Sequence, residues 1–381
     1  MKAVVAIDSM KGSLSSLAAG QAAKEGILRA YPEAEVSVFP VADGGEGTVD
    51  ALVFGLNGNK RSVRATDPLG REILCQYGVI GDRCALLEMS CAAGITLISE
   101  EEKNPLVTTT YGVGQVIRDA MEKGCRHFVI GIGGSATNDG GIGMLQALGF
   151  GMLNDKGSPV SSGARGAAEL CRITTDGVSP ILKECRFEIA CDVNNPLCGK
   201  TGCSAIYGPQ KGADPQTVKE MDAALSHYAD VVKKTFPKAD PNFPGAGAAG
   251  GIGFAFQTFL GAELICGIDL ILRTVGLEES VEKSDLVVTG EGRLDAQTAM
   301  GKAPSGIAKI AKKHNKTVIA FAGCVTPDAR LLNECGIDAF FPIVPKACSL
   351  EEAMNEKNAR ENLRNTAEQA FRLLRAAESI R

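Results

Sequence analysis

Aromatic residues are scarce in this 381-residue chain: there is no tryptophan, and tyrosine and phenylalanine number five and fourteen. Platforms on which nucleic-acid bases could stack are therefore few. A formal net charge of -5 with interspersed signs offers no basic face to phosphate backbones, so nucleic acid is excluded as the main partner. Histidine is also rare (His127, His227, His314), and the thirteen cysteines include no Cys-x-x-Cys pair. Cys198 and Cys203 lack a second close pair, which argues against a structural zinc. Cys75, Cys84, Cys91, Cys191 and Cys266 lie in or beside apolar segments, where a thiol is a small core residue, and the odd total points to a reducing, cytoplasmic compartment. No membrane span is expected, because the least polar stretch, Gly245–Ile268, is glycine-rich and interrupted by Gln257 and Glu263. After Lys2, only Ala3–Ile7 is apolar before Asp8, too short for a signal-peptide core.

What the chain has in abundance is glycine, 45 residues, within an ordinary globular balance of 45% hydrophobic and 22% charged residues. Its length admits two domains. Lys2–Ile7 reads as a buried strand, and the helical spacing of Leu14, Leu17, Ala18, Ile27 and Leu28 follows it up to Pro32. Glu35–Val41 is a second strand, with a helix near Glu46–Phe54. The far end repeats this order: strand Asp285–Thr289, helix Ser305–Lys313, strands Thr317–Ala322 and Ala339–Val344, and a closing helix Ser349–Ala377. Alternation of this kind implies a parallel sheet with right-handed crossovers. Between the ends, Lys60–Met89 carries short strand-like runs and a turn at Asp67-Pro68-Leu69-Gly70, the texture of antiparallel sheet. The expected architecture is α/β: a Rossmann-like parallel-sheet domain built from both chain ends (1–55 plus 285–381), a second α/β domain inserted at 56–284, and a ligand cleft between them.

The strongest local pattern is His127–Ile130 running into Gly131-Ile132-Gly133-Gly134-Ser135-Ala136-Thr137-Asn138-Asp139-Gly140-Gly141. Glycines such as Gly133 and Gly134 let backbone amides approach a phosphate, Ser135 and Thr137 add hydroxyls, and the helix start that follows adds a positive dipole end. A tight turn packed under another loop is the plain alternative. Gly131, Gly133 and Ala136 also match the dinucleotide fingerprint, the mark of an NAD-dependent dehydrogenase. A carboxylate at Asp139 would repel a bare pyrophosphate unless a cation intervened, so Mg-ATP suits the loop better than NAD. Asp155, the candidate ribose ligand of the dehydrogenase reading, falls in the polar turn Asn154–Gly157.

Asn194–Thr201 is a near miss to a P-loop: Gly199-Lys200-Thr201 is in place, but asparagine stands where the first glycine belongs. Lys200 either touches a phosphate or is simply solvated. Four acidic motifs sit at predicted strand ends: Asp8-Ser9-Met10-Lys11, Ala42–Thr48 with Asp43, Cys191-Asp192-Val193-Asn194 and Thr289–Asp295. Carboxylates at that edge are candidate Mg²⁺ ligands or bases for a hydroxyl, although each alone reads equally well as a turn or helix cap. Lys11, Arg293 and Lys302 supply the cations that phosphoryl transfer needs. Gly245–Gly251 is a second glycine-rich turn, close to either a ligand or another loop.

These segments, together with Gly208-Pro209-Gln210-Lys211-Gly212-Ala213 and Ala190–Leu197, resemble the bacterial type-I glycerate kinase family in order along almost the whole chain. The resemblance implies ATP-dependent phosphorylation of D-glycerate, with the 2-hydroxyl favoured over the 3-hydroxyl. In the mechanism that the chemistry of these residues suggests, Gly133, Gly134, Ser135 and Thr137, with Lys200 and Lys302, hold the ATP phosphates, while Asp192 or Asp295 binds Mg²⁺. Asp43 or Asp8 orients the hydroxyl, and Arg293 or Lys11 pairs with the substrate carboxylate. A dehydrogenase of a small hydroxy acid and a non-catalytic metabolite-binding protein are the alternatives.

Overall fold

A computed structural model describes residues 1–41 and 47–378, so Asp43 lies outside the described residues. The strands, in chain order, are β1 Lys2–Ile7, β2 Glu35–Val38, β3 Asn59–Thr66, β4 Glu72–Ile80, β5 Cys84–Glu88, β6 His127–Gly131, β7 Gly151–Leu153, β8 Arg172–Thr174, β9 Arg186–Ala190, β10 Glu263–Ile265, β11 Leu286–Leu294, β12 Thr317–Val325 and β13 Ala339–Pro342. The fold is mixed α/β with parallel sheets. Two compact units divide it. One gathers the described residues of Met1–Asp43, Asp50–Leu56 and Ile268–Arg381, the other those of Gly44–Val49 and Asn57–Gly267.

The first unit contains a five-stranded sheet ordered β13-β12-β11-β1-β2, with every pairing parallel. Numbered within the unit, that order is 2-1-3-4-5, the flavodoxin-like variant of the doubly wound sheet rather than the 3-2-1-4-5-6 order. Its strands read as unbroken apolar runs because both faces are covered: Val4, Val5, Ala6 and Ile7 are all buried. Ala3, Val5 and Ile7 pack under helices Ser16–Ala30 and Glu356–Glu378, while helix Ala303–Lys313 packs on β1, β11 and β12. Each fully buried valine or isoleucine contributes roughly 1.5–3 kcal/mol relative to exposure. Gly26 lets the two long helices approach, since a Cβ there would stand 2.2 Å from the carbonyl oxygen of Arg364. The closing helix expected over Ser349–Ala377 is broken at Asn355 into Leu350–Met354 and Glu356–Glu378.

The second unit contains a six-stranded sheet ordered β10-β9-β6-β5-β4-β3. Its β10, β9, β6 and β5 are parallel, while β5, β4 and β3 form the antiparallel run anticipated from Lys60–Met89. Phe128 on β6 stacks on Phe187 of β9 with ring centroids 4.9 Å apart, and Phe256 packs beside them. Helix Pro215–Thr235 starts where sequence rules place it, with Pro215 in the first turn and the Asp214 side chain accepting the Thr217 amide. It buries Met221, Leu225, Tyr228 and Val232.

Candidate active site

In an open α/β sheet, ligands bind beyond the carboxyl ends of the strands where the strand order reverses. In the first unit that switch point lies between β1 and β11. Asp8 follows β1, and its amide donates to the Gly290 carbonyl of β11 at 2.8 Å. The turn beyond it is pinned by reciprocal backbone bonds between Met10 and Leu14, both buried, with Gly12 in the left-handed region (φ +76°), leaving Lys11 exposed at the tip. Ser16 ties the helix start down: its hydroxyl donates to Ile7 O (2.6 Å) and accepts the Val41 amide (2.8 Å).

β11 runs further than the sequence pattern indicates. Glu291 and Arg293 pair with Ala322 and Cys324 of β12, so the motif expected as a loop is largely strand. Gly290 and Gly292 obscure this from the sequence, because glycine reads as a strand end. A Cβ at Gly290 would lie 2.1 Å from Phe321 O, so that glycine serves close backbone approach, while Gly292 lies at ordinary contact distance from Met10. Glu291 is 8% exposed and accepts a hydrogen bond from the Thr298 hydroxyl. Burial raises its proton affinity above that of an ordinary glutamate, against the opposing pull of the Thr298 bond and of Lys302 and Lys11, while Asp295 adds to the rise. A carboxylate held in this way beside two lysines can take a proton from a hydroxyl while the cations neutralise a phosphoryl group. The sequence alone gives Glu291 no role distinct from the other acids of its motif. The available signal was an acid following the apolar run Leu286-Val287-Val288.

Asp295 caps helix Ala296–Ala299, its Oδ1 accepting the amides of Gln297 (2.9 Å) and Thr298 (3.3 Å). Its Oδ2 lies 3.5 Å from Arg293 Nε, whose side chain is largely exposed. Lys302 is exposed as well, just before helix Ala303–Lys313. Asp8, Lys11, Glu291, Arg293, Asp295 and Lys302 thus all belong to the first unit.

The glycine loop belongs to the second unit. β6 lies between β5 and β9, and its end leads to Gly133 and Gly134, whose backbone is exposed, with Gly134 left-handed (φ +72°). The loop is sewn to the segment after β5: Ile95 N donates to Gly134 O (2.8 Å) and Ala136 N to Ala93 O (2.9 Å). Ser135 is 8% exposed, but Thr137 is fully buried, so its hydroxyl reaches no solvent-borne phosphate. Helix Ile142–Ala147 is likewise not open to an anion. The buried Asp139 accepts the amides of Gly141 and Gly143 as well as the amide and hydroxyl of Thr110, and Met144 N donates to Thr110 Oγ1. Asp139 is therefore an internal anchor. Desolvation raises its proton affinity, and these hydrogen bonds oppose the rise.

The second glycine turn packs against this loop rather than standing apart. Gly140 N donates to Gly250 O at 3.0 Å, and a Cβ on Gly250 (φ +73°) would collide with the Thr137 carbonyl at 1.9 Å. Asp192, after β9, is exposed, and its Oδ1 accepts the Gly267 amide (2.8 Å) and the Cys266 thiol (3.2 Å). Lys200 is exposed, and the following helix, Cys203–Tyr207, has only five residues, unlike the helix of a P-loop. Strand β7, which precedes Asp155, pairs with β8 in a separate two-stranded sheet, so no neighbouring strand brings that carboxylate beside β6 as a dinucleotide fold requires.

Among the described residues, no three His, Cys, Asp or Glu side chains converge on one point. Mg²⁺ does not need such a cage, because it takes one or two carboxylates plus phosphate and water oxygens. Asp192 and Asp295 fit that role through Oδ2, since the Oδ1 of each already serves backbone amides. They belong to different units.

Comparison with known proteins identifies the family. Residues 3–375 match the model of the glycerate kinase family. A glycerate kinase of Haemophilus influenzae is 44% identical over 98% of this chain and 99% of its own length, and a glycerate 2-kinase of Escherichia coli K12 is 45% identical over 93% of each. A crystal structure from Salmonella typhimurium LT2, named as a glycerate kinase 2, superposes with a TM-score of 0.92 at 43% identity, covering 100% of this chain and 99% of that one. The dehydrogenase and non-catalytic readings are left without support, and the chain belongs to the glycerate kinase family.

Proposed function

We propose that this protein transfers the terminal phosphoryl group of ATP to the 2-hydroxyl of D-glycerate, with Mg²⁺ as cofactor. The observation that carries the proposal is the buried Glu291, set with Lys11 and Lys302 at the switch point of a parallel sheet. Choice of the 2-hydroxyl follows the E. coli relative named glycerate 2-kinase. Glu291 or Asp8 accepts the hydroxyl proton as the oxygen attacks, and Arg293 grips the glycerate carboxylate, a geometry its planar fork suits. Asp43 remains a second candidate for orienting the hydroxyl.

Lys11 and Lys302 offset charge on the transferring phosphoryl group, so that positioning and electrostatics supply most of the rate. The exposed backbone of Gly133–Gly134, with Ser135, receives nucleotide phosphate, and Lys200 is a further phosphate contact. Mg²⁺ would be held by Asp192 or by Asp295 through Oδ2, and would supply charge neutralisation there. Thirteen free cysteines suit the reducing cytoplasm. Among the described residues, no helix is long and apolar enough to cross a membrane.

A ³¹P NMR time course with ATP, Mg²⁺ and D-glycerate tests the reaction. A 2-phosphoglycerate resonance that grows only when Mg²⁺ is present is the expected result. A 3-phosphoglycerate resonance would move the acceptor to the other hydroxyl, and no phosphoglycerate at all would overturn the proposal.

A further inference from the structure

The motif Gly208–Ala213 has no part in the chemistry assigned above, yet it buries a lysine. Lys211 ends the short turn Pro209–Lys211 and is 1% exposed. Gly212 then reverses the chain in the left-handed region (φ +93°), where a Cβ would meet Lys103 O at 2.5 Å, and Ala213 N closes back on Gly208 O. This reversal fixes Lys211 inward, and its Nζ donates to the Thr137 carbonyl at 2.6 Å. Lysine is almost never fully buried unless paired, because its ammonium loses its hydration. A methionine would fill similar space without that cost, so the ammonium at this position calls for a reason.

The groups around it come from each neighbouring element. Asp139, from the loop before helix Ile142–Ala147, and Cys203, from helix Cys203–Tyr207, both act on the Lys211 charge. Tyr228, from helix Pro215–Thr235, faces Asp139 in turn. The Asn138 amide donates to the Ser204 hydroxyl at 2.9 Å. Gly250 closes over the same Thr137 carbonyl from the other glycine turn. Thr137 and Asn138 are thus clamped from behind, two and three residues beyond Ser135.

We infer that Lys211 is a positioning residue for nucleotide binding: by holding the Thr137 carbonyl inward, it keeps the Gly133–Ser135 segment in the conformation that receives phosphate. The inference rests on the reading that this loop holds the nucleotide. It accounts for a buried cation bonded to a backbone carbonyl and for the close fit of a glycine turn around that same carbonyl. Burial lowers the Lys211 pKa to about 8, while Cys203 is pushed up to about 11 and Tyr228 well above its ordinary value. Between pH 7 and pH 9 the ammonium loses its charge while the Cys203 thiol and Tyr228 phenol keep their protons.

The test is ADP affinity by calorimetry for the wild type, Lys211→Met and a loop variant, Ser135→Ala, with circular dichroism to confirm folding. Lys211→Met is expected to weaken ADP binding about tenfold while KM for D-glycerate changes less than about twofold, with partial recovery in Lys211→Arg; a tenfold loss corresponds to 1.4 kcal/mol. A purely structural role would lower stability and disturb both substrates together, which overturns the inference. If Ser135→Ala weakens ADP binding and a folded Lys211→Met does not, the inference fails while the loop reading stands. If neither variant alters ADP binding, the loop reading fails and takes the inference with it. Should Lys211→Met not fold, the wild type decides: ADP affinity that falls as pH rises through about 8 supports the inference, and a flat profile from pH 7 to pH 9 overturns it.

Discussion

The switch point of the five-stranded sheet and the glycine loop of the second unit both follow a parallel strand, but they place their charges in opposite ways. At the switch point, Lys11, Arg293 and Lys302 are exposed and Asp8 half-exposed, while Glu291 is buried with its proton affinity raised. In the glycine loop the charged groups are inside: Asp139 accepts four hydrogen bonds and Lys211 donates to a carbonyl, leaving bare backbone at Gly133–Gly134 facing outward. One region leaves its cationic side chains in solvent, while the other buries its ionic side chains against backbone groups.

That contrast can be broken most severely at Glu291. Glu291→Gln should lower kcat by about 10²- to 10⁴-fold, the usual contribution of a positioned acid or base, with the thermal melt nearly unchanged. Because burial raises the proton affinity of Glu291, the wild-type activity should be present above, and lost as pH falls through, a limb lying higher than the ordinary glutamate range. That limb should vanish in the variant. A kcat within twofold of wild type would remove Glu291 from the chemistry.

Asp139→Ala tests the other side. Removing a buried carboxylate with four donors should cost about 3 kcal/mol of stability, read as a lower urea midpoint. The switch-point chemistry should suffer far less per folded molecule than in Glu291→Gln. If Asp139→Ala left stability intact but abolished turnover, the contrast between the two regions would be reversed.

The smallest effect is expected at Arg293, exposed and only loosely paired with Asp295. Arg293→Ala should raise KM for D-glycerate about tenfold, in keeping with the loss of a charged hydrogen bond, with kcat and the melt little altered. An unchanged KM would transfer the carboxylate grip to Lys11.

Much of the fold was legible in advance because its signals are local. The apolar run of β1 and the βα alternation at both chain ends act over a few residues. The antiparallel run β3-β4-β5 followed from its turn chemistry in the same way. The full length of β11 is hidden in the sequence because Gly290 and Gly292 imitate a strand end, whereas Gly290 makes room for the Phe321 backbone. Thr137 seemed as available as Ser135 in the string of letters, since nothing within the loop reveals that Gly250 and Lys211 close over it from more than seventy residues away.

The sequence by itself determined the class of fold and the family to which the chain belongs. Only the tertiary structure decided the strand order 2-1-3-4-5, which makes Asp8–Lys11 and Glu291–Asp295 neighbours, and the burial that separates Glu291 and Lys211 from ordinary surface charges. The physical reason is range. Helix caps, turns and apolar periodicity are set by adjacent residues, whereas the solvation of a charge depends on every segment that packs over it, and those segments are distant in the chain.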